Sequence, residues 1–279
     1  MNLKPASLPA NYHPPANLLD GHVALVTGAT QGLGRVAARA FAAHGATVIL
    51  HGRNVTKLAA LYDEIVDAGF PQPAIMPLDY LKATQGELDA YAQSIHSTFG
   101  KLNVIFHGAS HFVSCMPLAL HDLAAWEQHT RVNLNVPAAL TKACLPLLKR
   151  ASAASVIFLS ETHALAPRAY WGAFAAGKAA LENLVLIWAD EMDGDGRNPP
   201  RFNLCLPGPV ASPMRGKSHP GELGAEIAAM ESLIPPFLFL ASKDSGALTG
   251  CLFDCRADPR SANAFANILR RPASEFGNI

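Results

Sequence analysis

No sign of charge dominates this sequence, and charge of either kind is scarce. Lys and Arg number 22, Asp and Glu number 22, and together they fill only 16% of the 279 positions. Without a basic run there is no reason to expect a nucleic-acid partner or an anionic membrane surface. The scarcity also implies that some outer helix faces are covered by another subunit. Long apolar runs are missing too. The longest, near 234–241, is broken by Pro235-Pro236, so no membrane span is expected. The start, 1–17, holds Pro5, Pro9, Pro14 and Pro15 but no basic stretch leading into an apolar core. That argues against a secretory signal and for an extended arm, ordered only if it packs on its own or a neighbouring subunit. The five cysteines, Cys115, Cys144, Cys205, Cys251 and Cys255, are scattered. Cys251 and Cys255 would share a strand face roughly 13 Å apart at about 3.3 Å per residue, beyond disulfide reach. No Cys/His spacing matches a zinc site, and no metal is expected. Buried free thiols in a reducing cytoplasm are the expectation. No linker-like break or repeat divides the chain, which points to a single domain over 18–257 followed by a tail over 258–279.

What is present is organised around 23–34, VALVTGATQGLG. Its first four residues are a continuous apolar run, as a strand buried on both faces requires. Three glycines follow, Gly28, Gly32 and Gly34, and then helix formers over 35–44. Strand, glycine turn and helix together make a phosphate-binding context. Gly28 lets the chain leave the strand tightly. Gly32 and Gly34 keep Cβ atoms away from a pyrophosphate and let helix and strand pack closely. The amides of the first helical turn, around Thr30, Gln31 and Leu33, then face an anion.

Thr-Gly-x-x-x-Gly-x-Gly after the first strand resembles the short-chain dehydrogenase/reductase family, and later motifs extend the resemblance over about 18–257. The resemblance implies a one-domain Rossmann-type fold that moves hydride to or from NAD(P). The alternation of apolar strands and helices agrees with an α/β, doubly wound parallel sheet of about seven strands, with the ligand at the carboxyl strand ends.

Further strands are expected at 47–51, 74–78, 103–107, 155–160, 201–206 and 247–254, with helices at 55–69, 84–99, 122–150, 172–193 and 234–242. The second strand ends in His51-Gly52-Arg53-Asn54. A carboxylate there would bind the ribose of NAD and repel a 2′-phosphate. None is present, and Arg53 can pair with a phosphate. NADP(H) is therefore favoured over NAD(H), with Arg53 and Asn54 at the ribose. Asp79, followed by Tyr80, looks like the family's adenine-contacting aspartate, although a turn role would suit it equally. Pro207-Gly208-Pro209-Val210, with Ser212, looks like the family's turn beside the nicotinamide. The stretch 211–230, loosened by Gly216, Gly221 and Gly224, reads as a lid. Pro137 and Pro146 should kink or segment the helix over 122–150. That helix and the one over 172–193, apolar nearly all round from Phe174 to Leu181, are the expected contact of a homodimer or homotetramer.

The chemistry departs from the family. By resemblance, a tyrosine four residues before a lysine transfers the proton, a serine at the fifth strand's end holds the substrate oxygen, and an asparagine carbonyl holds a water. Lys178 and Asn133 match the lysine and asparagine. Phe174 stands at the tyrosine position and Glu161 at the serine position. Gly108-Ala109-Ser110 replaces the usual Asn-Ala-Gly. Phe174 has no proton to give, and an ionised Glu161 would repel a developing alkoxide. Tyr170 precedes Lys178 by roughly 12 Å of helix at about 1.5 Å per residue, too far to be activated by it. Strand alternation turns Ser160 away from Glu161. Glu161 with His163 is a conceivable acid/base pair, and His107 and His111 fall near the pocket mouth. Two readings follow. One is a divergent NADP(H)-dependent oxidoreductase acting on a small molecule, weak on ordinary carbonyl substrates. The other is an inactive scaffold that binds a nucleotide or a partner.

Overall fold

The computed structural model describes residues 3–194, 196, 199–222 and 227–255. Eight strands form one sheet: β1 (Lys4–Ser7), β2 (Val23–Thr27), β3 (Thr47–Leu50), β4 (Ala74–Ile75), β5 (Val104–His107), β6 (Ser155–Leu159), β7 (Arg201–Leu206) and β8 (Cys251–Asp254). Their order is β1-β8-β7-β6-β5-β2-β3-β4, and every pairing is parallel. The helices are α1 (Gly32–Ala43), α2 (Val55–Asp67), α3 (Gln85–Phe99), α4 (Leu123–Thr130), α5 (Val136–Arg150), α6 (Thr162–Leu165), α7 (Gly172–Glu191), α8 (Pro213–Ser218) and α9 (Ile234–Ala241). From β2 the chain builds outward through β3 and β4, then returns to place β5 on the other side of β2. That reversal opens a crevice beyond the carboxyl ends of β2 and β5, where doubly wound sheets bind ligands.

Both sheet faces are covered, which is why the central strands read as unbroken apolar runs. Val23 and Leu25 of β2 pack with Leu88 of α3, Leu140 of α5 and Val185 of α7. Ala24 and Val26 pack on the opposite face with Phe41 of α1, Leu58 of α2 and Phe237 of α9. Phe106 sits between Phe41 and Phe237, with ring centroids 6.0 and 4.8 Å away. Burying each such ring is worth about 1.5–3 kcal/mol.

The sheet gains a strand beyond the seven expected. The amino-terminal arm contributes β1, which pairs with β8, and Pro5 is tolerated there because β1 is an edge. Tyr12 anchors the arm on its own chain, with its hydroxyl donating to Asp244 at 2.8 Å and its ring edge-on to Phe239. The expected helix over 122–150 forms: Asp122 caps α4, a π-helical turn over Arg131–Asn135 follows without a break, and α5 runs on from it with Pro137 in its first turn. Pro146 neither ends nor divides α5, contrary to expectation.

The cysteine expectation is also corrected. Cys205 and Cys255 form a disulfide, with Cα atoms 6.3 Å apart, while Cys115, Cys144 and Cys251 are free. Spacing within one strand said nothing of this pair, because its members meet across the parallel β7–β8 pairing, 50 residues apart in sequence. The tail expected over 258–279 lies outside the described residues, as does Gly224 of the lid.

Candidate active site

The turn after β2 is shaped by close approach. Gly28 has φ +68°, and a Cβ there would lie 2.8 Å from the Ala109 nitrogen. A Cβ on Gly34 would collide with the Gly28 carbonyl, so this glycine serves helix–strand packing and stands behind the cavity wall. The loops after β2 and β5 are thus locked together, and Ala109 N–H donates to Thr27 Oγ1 at 3.1 Å. Gln31 precedes α1 in an extended conformation and makes no side-chain cap. The first amides of α1 are left for an anion.

These elements line one cavity at the carboxyl edge of the sheet. Gly28, Thr30, Gln31, Gly32 and Leu33 form its floor. Arg53, Asp79 and Tyr80 flank one end, and Pro207 and Ser212 the other. Between them lie Glu161, Phe174 and Lys178. Open amides, a glycine floor and an exposed guanidinium fit a dinucleotide carrying an extra phosphate. Asn54, expected at the ribose, is instead the cap of α2, where its side chain accepts from Lys57 N–H at 2.9 Å. Asp79 accepts from Leu81 N–H, so it shapes the turn as well as lining the cavity. Gly208 and Val210 stand outside the cavity wall, and Val210 is buried in a bridge to Ala228.

Lys178 is buried at 5% exposure, and its Nζ donates to the Leu159 carbonyl at 2.7 Å. Burial pushes its pKa down to about 8, against the opposing pull of Glu161 and Glu182. Nζ also lies 5.7 Å from the Phe174 ring centroid. Burial raises the Glu161 carboxyl above its ordinary range, while Lys178 and the N–H groups of Thr162 and His163 hold it down. His163 therefore offers Glu161 its backbone, and its ring packs on Trp171 at 4.1 Å; the expected acid/base pair of side chains is not formed. His107 is stacked on Phe158 and bonded to Thr141, and burial lowers its pKa to about 3. It is a neutral structural group. Burial likewise lowers His111, whose ring meets that of His129. Tyr170 is exposed.

Asn133 occupies the π-helical turn between α4 and α5, where the hydrogen-bond ladder widens by one residue, as in Val136 N–H to the Arg131 carbonyl. Its side chain clamps the loop after β5, with Oδ1 accepting from His111 N–H at 2.9 Å and Nδ2 donating to the His111 carbonyl at 2.8 Å. This fixes the altered 108–110 loop although its own asparagine is gone.

Sequence reasoning missed Glu182. It is buried on α7 and accepts from the Ser160 hydroxyl, which itself accepts from Glu161 N–H at 2.6 Å. Burial raises the Glu182 pKa to about 7. The available signal was its position one helical turn beyond Lys178, on the same face.

The fold, the glycine turn and the buried lysine belong to one class of protein, and comparison with known families agrees. The short chain dehydrogenase family matches residues 22–223, and this chain belongs to that family. It is 35% identical over 246 residues to the Escherichia coli (strain K12) protein described as uncharacterized oxidoreductase YciK, covering 88% of this chain and 96% of that one. A Shigella flexneri short chain dehydrogenase complexed with NADP superposes with a TM-score of 0.83 at 34% identity, covering 86% of this chain and 99% of the other. An Escherichia coli CFT073 short chain dehydrogenase complexed with NADPH gives 0.84 at 35% identity, over 87% of this chain and all (100%) of the other. Among the described residues no helix is long and apolar enough to cross a membrane.

Proposed function

We propose that this chain is an NADP(H)-dependent oxidoreductase that interconverts a carbonyl compound and its alcohol, with the Glu161 carboxyl handling the substrate proton. The observation that carries this reading is a half-buried carboxyl in the same cavity as a buried lysine. Burial raises the carboxyl above its ordinary range, the direction in which a carboxyl gains as a general acid, and lowers Lys178 to about 8. When bound, the nicotinamide supplies a hydride to the carbonyl carbon. Glu161 gives its carboxyl proton to the carbonyl oxygen as the C=O π bond breaks, and the carboxylate left behind lies in the field of Lys178. Oxidation runs the same proton back to Glu161. Arg53, with no acidic neighbour at Gly52, supports NADP(H) over NAD(H). Phe174 favours a second reading, a scaffold that binds nucleotide without turnover. NADPH consumption by wild type and by Glu161→Gln separates them: activity lost in the variant supports the enzyme, and tight NADPH binding without consumption on any carbonyl compound supports the scaffold.

A further inference from the structure

Resting on the oxidoreductase reading, we propose that the substrate is a flat, uncharged aromatic carbonyl compound held against the Phe112–Phe174 wall of the cavity. Phe112, Trp171 and Phe174 form an aromatic cluster separate from both cores of the sheet. Phe112 and Phe174 both line the cavity, with centroids 5.3 Å apart and rings nearly perpendicular at 79°. Trp171 backs the pair at 5.6 and 6.1 Å. An edge-to-face pair presents a ring face and a ring edge side by side, and a third aromatic ring completes that arrangement at 4.5–7 Å centroid spacing, roughly. Met214, on the lid helix α8, packs against the same cluster and lines the same cavity. Its thioether adapts to a ring edge better than a branched side chain does.

The aromatic wall adjoins the group that handles the proton. Cys115 packs on the cluster and also feels the charge of Glu161. Glu161 lines the same cavity as Phe112 and Phe174, and the substrate proposed here turns the carbonyl of its ring toward that carboxyl. Glu161 disfavours an anion on this wall. Lys178 is held by the Leu159 carbonyl and feels the charge of both Glu161 and Glu182. Arg215 is paired with Glu222. Lys217 also lines the cavity, so a substrate carboxylate is opposed here by its nearness to Glu161 and not by a lack of cations.

The test is a ligand-observed NMR titration of the NADP-saturated protein with acetophenone, cyclohexyl methyl ketone and benzoate at pH 8. Acetophenone is expected to bind three- to tenfold more tightly than the saturated ketone, with benzoate weaker than either. Phe174→Leu, which keeps an apolar filler, should erase the preference for acetophenone. Equal binding of the saturated ketone, tighter binding of benzoate, or a preference that survives in both Phe174→Leu and Phe112→Leu overturns the proposal. NADPH consumption is read in parallel. A ring preference without turnover removes the oxidoreductase reading alone, and turnover of saturated ketones without a ring preference removes the substrate class alone.

Discussion

The Lys178 ammonium donates a 2.7 Å hydrogen bond to the Leu159 carbonyl, joining the middle of α7 to the end of β6. This bond fixes the lysine at the cavity, where Nζ also lies 5.7 Å from the ring centroid of Phe174, one turn earlier. The cation is thereby kept in place although Phe174 has no proton to give. Its charge is shared between Glu161, which lines the cavity, and Glu182, which sits behind Ser160.

Cofactor choice follows from Arg53. NADPH is expected to bind more tightly than NADH, and Arg53→Ala should weaken NADPH alone by about 1.5–3 kcal/mol, the range of a charged hydrogen bond. Titration by nicotinamide fluorescence checks this, and equal affinities for the two cofactors would count against it.

Catalysis follows from Phe174 and Glu161. Wild type should be slow on carbonyl substrates that ordinary members of the family reduce, since general acid catalysis is worth about 10²–10⁴ in rate. Phe174→Tyr combined with Glu161→Ser should gain NADPH oxidation on those substrates, Phe174→Tyr alone should gain less, and Glu161→Ser alone, which removes the proposed proton donor, should gain none. The steric demand is small because tyrosine adds one oxygen. A double variant no faster than wild type would show that these positions do not govern the proton.

Stability against pH follows from Glu182. Its native pKa of about 7 lies above its ordinary 4.5, so the native state binds more protons than the unfolded state between those values. That contribution is fully present below about pH 4.5 and is lost as pH rises through about 7. At roughly 1.4 kcal/mol per pH unit, the difference between about 7 and 4.5 amounts to about 3–4 kcal/mol. Lys178 acts at higher pH. Its value of about 8 lies below the ordinary 10.5, so its burial cost is relieved only as pH rises through and above 8. Glu182→Gln should therefore flatten the fall in melting temperature between pH 5 and 7.5. An unchanged profile would mean that Glu182 titrates like an ordinary surface carboxylate.

Assembly follows from α7. Its outward side leaves Ala176, Ala179 and Ala180 exposed, and Ile187 is 47% exposed. We expect a homo-oligomer formed through α7 with the α4–α5 region. Light scattering at micromolar concentration should give a mass of at least twice 29.6 kDa, and a monomer would exclude it.

The sequence by itself determined the parallel α/β sheet, because an apolar run such as Val23–Thr27 has only one stable home, between two helical layers. It determined the nucleotide edge, because Gly28, Gly32 and Gly34 at their spacing describe a backbone shape that local sterics enforce. Contacts between distant segments were left to the tertiary structure. The amino-terminal arm became a strand only because β8 presented an unpaired edge. Cys205 met Cys255 only through the β7–β8 pairing. Asn54 was taken by the start of α2. Glu182 acquired a place beside the active site only because Ser160 turned its hydroxyl toward α7. A residue's pKa and partner depend on what burial brings against it. Local sequence carries no record of that when the neighbours lie more than a turn of helix away.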